Sequence, residues 1–430
     1  MKQSAPRLAF FLDNSKIKEV DFAHPGRGNP GCGASEFLIV QVANGLATRG
    51  WNVTLYVTNS GKFPFVTKIF VVDNLEEACE MSIIEKEFLI HRLEISGRSA
   101  VYSQCKSKNG LRVIPWLQLT PSQDLARELS REDAVVCVIA VGANQVTRLR
   151  DNPIYRKLVL ISNPIANTRV VERLPLKKDN QVVYLGALTS AKGFHILADQ
   201  WGRIREKIPG ATLKVIGSGA LYDKSKTMGV NNLAESSYEE RIFKVLNPKD
   251  DSVEFLGTVS DPELKAKIIS QCKVGIVNPS GETETFCVAA AEIQSLGVPV
   301  VSARRFGLRD TIRHKRTGLL YRSRSGLNRA VVKLLKNEEL RTRFGINAIE
   351  WTKRYELEVV LDDWERLIDS LEGKPSSSMS HNKLANPKLQ FALATINSVF
   401  TTMSEGKWPT LVEIAIIFRS SLKQLATKFK

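Results

Sequence analysis

"KVGIVNPSGETETFCVAAAEIQSLGVPVVSA", residues 273–303, decides the fold. Its first eight residues are short, apolar and rich in Val and Ile, so they read as a buried strand. Gly281 turns the chain. A helix follows from near Phe286, because small and apolar residues fill the next positions until Gly297. "GVPVVSA" (297–303) then reads as a second strand. Two apolar strands joined through a helix are the repeating unit of a parallel sheet with helices on both faces.

The same rhythm extends outward. Upstream lie "QVVYLGAL" (181–188), the helical "AKGFHILADQWGRIREKI" (191–208), "ATLKVIGSG" (211–219), "SVEFLG" (252–257) and "DPELKAKIISQ" (261–271), a helix with Asp261 as N-cap. The first half has its own series. "RLAFFLD" (7–13) is a strand, and "ASEFLIVQVANGLATRG" (34–50) is a helix behind a glycine loop. "WNVTLYV" (51–57), "LRVIPWLQL" (111–119), "AVVCVIA" (134–140) and "KLVLIS" (157–162) are further strands. "LEEACEMSIIEKEFLIHRLEI" (75–95) reads as one long helix.

The expected class is α/β, with two tandem Rossmann-like, doubly wound domains facing a cleft. Residues 1–166 form the first domain and 167–180, charged and carrying Pro175, a linker. Residues 181–345 form the second, and helices at 346–375 cross back to the first. Open α/β sheets bind ligands beyond the C-terminal ends of their strands, so the cleft is the expected site. Residues 376–430 form a basic amphipathic tail. Its apolar positions 411, 414, 415, 418, 422, 425 and 429 make a helical stripe, with Arg419, Lys423, Lys428 and Lys430 around it. Two readings stay open: a helix lying on anionic lipid, or one packed on the protein body or dimerising it.

Bulk composition narrows the function. The chain has 430 residues, 43% hydrophobic and 25% charged, as in a globular protein. No run of about 18 apolar residues marks a membrane span, and the N-terminus lacks the apolar core and cleavage site of a signal peptide. The expected location is cytoplasmic, including the inner face of a membrane. Sixty-one basic against 45 acidic residues give +16, which attracts phosphorylated substrates or anionic lipid. Nucleic acid ranks below these, because no zinc-finger or RNA-binding aromatic signature is present. Six scattered cysteines without a CxxC suit buried thiols in a reducing compartment.

The opening stretch also carries chemistry. Amides at a helix start are unpaired and bear about half a positive charge, a natural phosphate seat. Glu284 falls just before that seat and Glu292 about one and a half turns into the helix. A carboxylate accepts hydrogen bonds from two neighbouring hydroxyls, so the pair suits a sugar at one end of a diphosphate and a ribose at the other. Acids near a helix start also simply complement its dipole, worth about 0.3–1 kcal/mol.

Glu284, Phe286-Cys287, the apolar 288–291, Glu292, Gly297 and Pro299-Val300-Val301 together resemble the E-x7-E segment of the retaining glycosyltransferases of family 4, whose architecture is called GT-B. "GCGASEFLIVQVANGLATRGWNVTLYV" (31–57), "ISNPI" (161–165), "YLGALTSAKGFHIL" (184–197), "VIGSG" (215–219), "VEFLGTVSDPEL" (253–264) and "TGLLY" (317–321) resemble its other landmarks in order. The likeness spans roughly residues 7–370.

The resemblance implies transfer of a sugar from a nucleotide-sugar to a glycan or lipid-linked acceptor. It implies that Glu284 and Lys192 are catalytic, with Glu284 on the sugar and Lys192 on the diphosphate. Glu292 takes the ribose diol, and the amides of Phe286, Cys287 and Val288 face sugar and phosphate. Gly217, Gly219 and Val259 complete the donor side. The loop Gly31-Cys32-Gly33 approaches phosphate or acceptor, or is an ordinary strand-to-helix turn. His24 and Gln118 are candidates for the acceptor side. No metal and no cofactor are expected, since no Asp-x-Asp motif stands at the donor site. Two positions depart from the family pattern. Ala187 stands where an arginine usually helps hold the diphosphate, and Gln118 where a histidine often faces the reacting sugar. These departures keep a second reading open, a non-catalytic nucleotide-sugar-binding or scaffold protein. A phosphorylase or epimerase of the same architecture fits less well.

Overall fold

The computed structural model describes residues 6–64, 67–93, 102, 109–166, 179–223, 225–247 and 250–371. The tail expected at 376–430 and nearly all of the expected linker lie outside these residues.

The first lobe holds β1 (Arg7–Leu12), β2 (Asn52–Val57), β3 (Lys68–Val71), β4 (Glu87–Arg92), β5 (Val113–Leu117), β6 (Val138–Ala140) and β7 (Leu158–Leu160). They form one sheet in the order β3-β2-β1-β4-β5-β6-β7, and every pairing is parallel. Its helices are α1 (Ala34–Thr48), α2 (Leu75–Ile84), α3 (Gln123–Arg131) and α4 (Ala143–Arg148). The second lobe repeats the design with β8 (Gln181–Leu185), β9 (Thr212–Ile216), β10 (Val253–Gly257), β11 (Val274–Ile276), β12 (Val300–Ala303) and β13 (Gly318–Tyr321), in the order β10-β9-β8-β11-β12-β13. Around it lie α5 (Phe194–Lys207), α6 (Ser236–Phe243), α7 (Pro262–Gln271), α8 (Val288–Ser295), α9 (Leu308–Thr311) and α10 (Arg324–Lys336). The two tandem doubly wound sheets are those expected from the strand–helix rhythm.

β3 was not foreseen in the sequence, and one expected element does not form as read. Residues 75–95 do not form a single helix: α2 ends at Ile84, and Glu87–Arg92 is β4, the strand beside β1 at the centre of the sheet. Lys86 makes the break with φ +57°, a left-handed turn. A parallel strand buried on both faces has no polar alternation, so "EFLIHR" reads like more of the same helix. Its Glu87 is buried yet satisfied, accepting from Thr54 Oγ1 at 2.5 Å and Tyr56 OH at 2.8 Å. Burial holds the Glu87 carboxyl above the usual range.

Two last helices, α11 (Glu338–Thr352) and α12 (Leu357–Leu371), close the described chain. α12 lies on the first lobe. Trp364 packs its ring against Phe10 and Trp116, with centroids 5.8 and 5.1 Å away. Leu361 fills the space beside Gly45 of α1. Arg49 meets Glu358, Asp362 and Glu365 of the same helix within 2.9 Å.

In each sheet the strand order reverses between two neighbours: β1 and β4 in the first, β8 and β11 in the second. Loops leaving such a pair diverge to opposite faces and open a crevice at the strands' C-terminal ends. The two crevices face each other across the cleft.

Candidate active site

The cleft encloses a cavity of about 1020 Å³, lined from both lobes. β8 delivers its loop 186–193 into it and β11 its loop 277–287. Gly193 takes φ +74°, and a Cβ there would stand 2.6 Å from the Ser280 nitrogen, so only glycine lets these two loops touch. That contact sets Lys192 against Glu284. Lys192 Nζ donates to Glu284 Oε2 at 2.9 Å, and Asn278 Nδ2 donates to the same oxygen at 2.7 Å. Asn278 leaves β11 with φ +35°, a conformation asparagine tolerates better than most residues. Its side chain also donates to the Glu282 carbonyl at 3.1 Å, bracing the turn. Burial works against the Lys192 charge, but Glu284 outweighs it and the ammonium's pKa is raised. The lysine is therefore cationic at every physiological pH.

α8 begins directly behind this pair, with Cys287 as its N-cap. Phe286, Cys287 and Val288 all line the cavity. The expectation that all three amides face the ligand needs a correction at Cys287, whose N–H donates to Thr311 Oγ1 at 3.3 Å. Among the described residues the amides of Val288 and Ala289 meet no acceptor, as a first helical turn requires. Glu292, the fifth residue of α8, also lines the cavity. Lys265 of α7 reaches it at 3.4 Å, and both side chains are largely buried. Ala187 and Lys265 line the cavity as well.

The other candidates divide. Gly217 and Val259 line the cavity. A Cβ on Gly217 would sit 2.0 Å from the Gly186 carbonyl oxygen, so its glycine serves the crossing of two loops. Gly219 does not line the cavity; its N–H donates to the Leu233 carbonyl, and a Cβ would strike the Ala234 backbone at 2.7 Å. His24 is exposed at the head of a short 3-10 turn and is also away from the cavity.

The glycine loop is at the cleft but not as an open amide nest. Asn29 Oδ1 accepts from the N–H groups of Gly31 and Cys32 at 2.9 and 3.0 Å. Asparagine side chains capture nearby backbone donors in this way, and the motif was legible in Asn29. Gly31, at φ +95°, lets the loop lie on the second lobe, where a Cβ would meet Thr258 at 2.8 Å. A Cβ on Gly33 would first meet Glu36 Oε2 of its own lobe, at 2.1 Å, and then the Tyr222 ring of the second lobe at 2.8 Å. These glycines bring the lobes together.

Gln118 lines the cavity, but its amide is committed: it exchanges two hydrogen bonds with Asn163, at 3.0 and 2.9 Å. Sequence reasoning missed several lining residues, namely Asn278, Lys265, Thr285 and the Arg92–Glu36 ion pair of the first lobe. Arg92 ends β4, the strand hidden in the misread helix. Among the described residues no group of acids, histidines and cysteines is arranged to hold a metal ion. The five described cysteines are buried.

Comparison with known proteins bears on this geometry. Residues 168–351 match the family of glycosyl transferases group 1. An uncharacterized glycosyltransferase of Haemophilus influenzae is 23% identical over 362 residues, which are 78% of this chain and 96% of that protein. A glycosyltransferase of Rickettsia africae superposes with a TM-score of 0.65 at 13% identity, covering 86% of this chain and 99% of its own. HepE of Anabaena, solved in complex with UDP-glucose, superposes with a TM-score of 0.61 at 16% identity, covering 85% and 100%. The fold is therefore GT-B. The family match and the relatives support a group 1 glycosyltransferase. On that scaffold the Lys192–Glu284 pair and α8 belong to the matched lobe.

Proposed function

We propose that the chain is a retaining glycosyltransferase that moves a sugar from a nucleotide-sugar, of which a UDP-sugar is the first choice, to a glycan or lipid-linked acceptor. The observation that carries this reading is the partly buried contact of Lys192 Nζ with Glu284 Oε2 at 2.9 Å, directly ahead of the unpaired amides of α8. A diphosphate seated there takes the lysine and the Val288 and Ala289 amides. With the phosphate on Lys192, Glu284 keeps its Asn278 bond and offers its carboxylate to sugar hydroxyls, and Glu292 takes the ribose diol. HepE binds UDP-glucose on the same fold, which favours a uridine donor.

Catalysis on this reading is stabilisation of the leaving group. As the bond from the anomeric carbon to the β-phosphate oxygen breaks, negative charge grows on that phosphate. Donors fixed before the reaction stabilise this charge more than the ground state and need no reorganisation. Gln118 has no titratable proton and its amide is held by Asn163. The acceptor proton therefore passes to the departing phosphate on the same face, which accounts for retention. The first lobe supplies the acceptor side of the cavity, and any role of the tail at a membrane belongs to residues outside the described chain.

Lys192→Ala and Glu284→Ala test the reading. Each is expected to lower kcat by about 10²–10³-fold, the usual cost of one fixed charge-stabilising donor or its orienting partner. Full activity in both variants contradicts the assignment. A chain that binds UDP-sugars yet neither transfers nor hydrolyses them would instead be the non-catalytic binding protein.

A further inference from the structure

Thr285, the neighbour of Glu284, makes a bond that links the lobes. Its Oγ1 donates to the carbonyl of Gln118, the first residue after the first lobe's β5, at 2.6 Å. The Gln118 side chain is itself pinned by Asn163, so the acceptor of this bond is rigid. The Thr285 backbone is clamped from both sides. A Cβ on Gly142 of the first lobe would lie 2.6 Å from the Thr285 carbonyl oxygen, and one on Gly307 of the second 1.9 Å. Gly307 N–H also donates to the Glu284 carbonyl at 3.0 Å. Thr283, two residues earlier, is held at φ +54°, a conformation a β-branched residue adopts only when its surroundings enforce it. The segment carrying Glu284 is thus shaped partly by the opposite lobe.

We propose that Thr285 is a positioning residue: its hydroxyl, donating across the cleft to the Gln118 carbonyl, holds the Glu284 carboxylate in its sugar-binding orientation when the lobes are closed. Closure and formation of the site then become one event. Opening breaks the bond, releases the Thr283 turn and frees Glu284 from the reacting sugar. The inference rests on the donor reading above, since it gives Glu284 a sugar to hold. It differs from that reading in making orientation of Glu284 depend on the acceptor lobe.

UDP-glucose hydrolysis and UDP binding by the full chain test it. Thr285→Val keeps the shape and removes the donor. It is expected to lower kcat roughly tenfold, the worth of one well-made buried hydrogen bond, while the KM for UDP-glucose and the affinity for UDP change by less than about threefold, because Lys192 and α8 are untouched. Thr285→Ser keeps a hydroxyl and is expected to recover kcat to within about threefold of the parent. Should the valine variant lose its cooperative melting transition, the Thr285→Ala and Thr285→Ser pair carries the same comparison. Undiminished kcat in the variants lacking the hydroxyl overturns the inference alone. A fall in UDP affinity equal to the fall in kcat also overturns it, because the residue would then only support the fold. A parent chain that neither binds UDP nor turns over UDP-glucose contradicts the donor reading, and the inference falls with it.

Discussion

Glu292 and Lys265 show how a single residue's role depends on a partner from elsewhere in the chain. Their 3.4 Å contact holds the acid against the cavity wall before any ligand arrives. If Glu292 takes the ribose diol, Glu292→Ala removes an ionised acceptor of two hydroxyls. UDP affinity is then expected to fall about 10–100-fold by calorimetry, since a hydrogen bond to a charged group is worth about 1.5–3 kcal/mol. Unchanged affinity would place the ribose elsewhere. Asp310 gives a second prediction at this scale. It crosses the lobes, accepting from the Asn144 N–H at 2.7 Å. Burial pushes its carboxyl up to about 6, against the partial help of that N–H and of Arg309 and Arg313. The folded chain therefore disfavours the ionised form. This penalty is absent below the ordinary carboxylate range near pH 4 and grows as pH rises to about 6. Asp310→Asn keeps an acceptor for Asn144 and removes the charge. Its stability relative to the parent should rise by about 3 kcal/mol between pH 4 and pH 7, since each tenfold difference in proton affinity between the folded and unfolded chain is worth about 1.4 kcal/mol. A difference that does not vary with pH contradicts this.

At the scale of elements, α12 is tied to the first lobe more firmly than to its own. Trp364 is buried between Phe10 and Trp116, and Leu361 against Gly45. Truncating a buried aromatic of this size costs about 3–5 kcal/mol. Trp364→Ala should lower the denaturant midpoint of the first lobe accordingly, and a loss below about 1 kcal/mol would mean that α12 docks elsewhere. Elements also mark the limit of what the chain's order discloses. The strands β1, β2, β8, β9 and β12 are apolar runs bounded by glycine or charge, and they stand out. β4 does not, because its central position removes the polar face that would separate it from α2. Local order was enough to place Glu284 before a helix start and Glu292 inside the helix, but their roles and that of Lys192 rested on the family resemblance. Lys265, Asn278 and the bond from Thr285 to Gln118 were not legible. Their partners lie 27, 6 and 167 positions away, and only the packing of loops and lobes brings them together. The glycines misled in another way. Gly31, Gly33 and Gly219 are required by close packing, which has the same one-letter signature as a phosphate nest.

For the whole molecule, two doubly wound sheets place their switch points face to face, and several charged groups of the cavity come from the strands or loops at these points. Lys192 follows β8, Glu284 follows β11, and Arg92 ends β4. The excess of basic over acidic residues suits a phosphorylated ligand entering that cavity. A crystal structure of the chain with UDP tests the account most directly. The β-phosphate oxygens are predicted within about 3 Å of Lys192 Nζ and of the Val288 and Ala289 nitrogens, with the ribose hydroxyls on Glu292. UDP seated away from the start of α8, or running with its ribose on Glu284, would contradict the account.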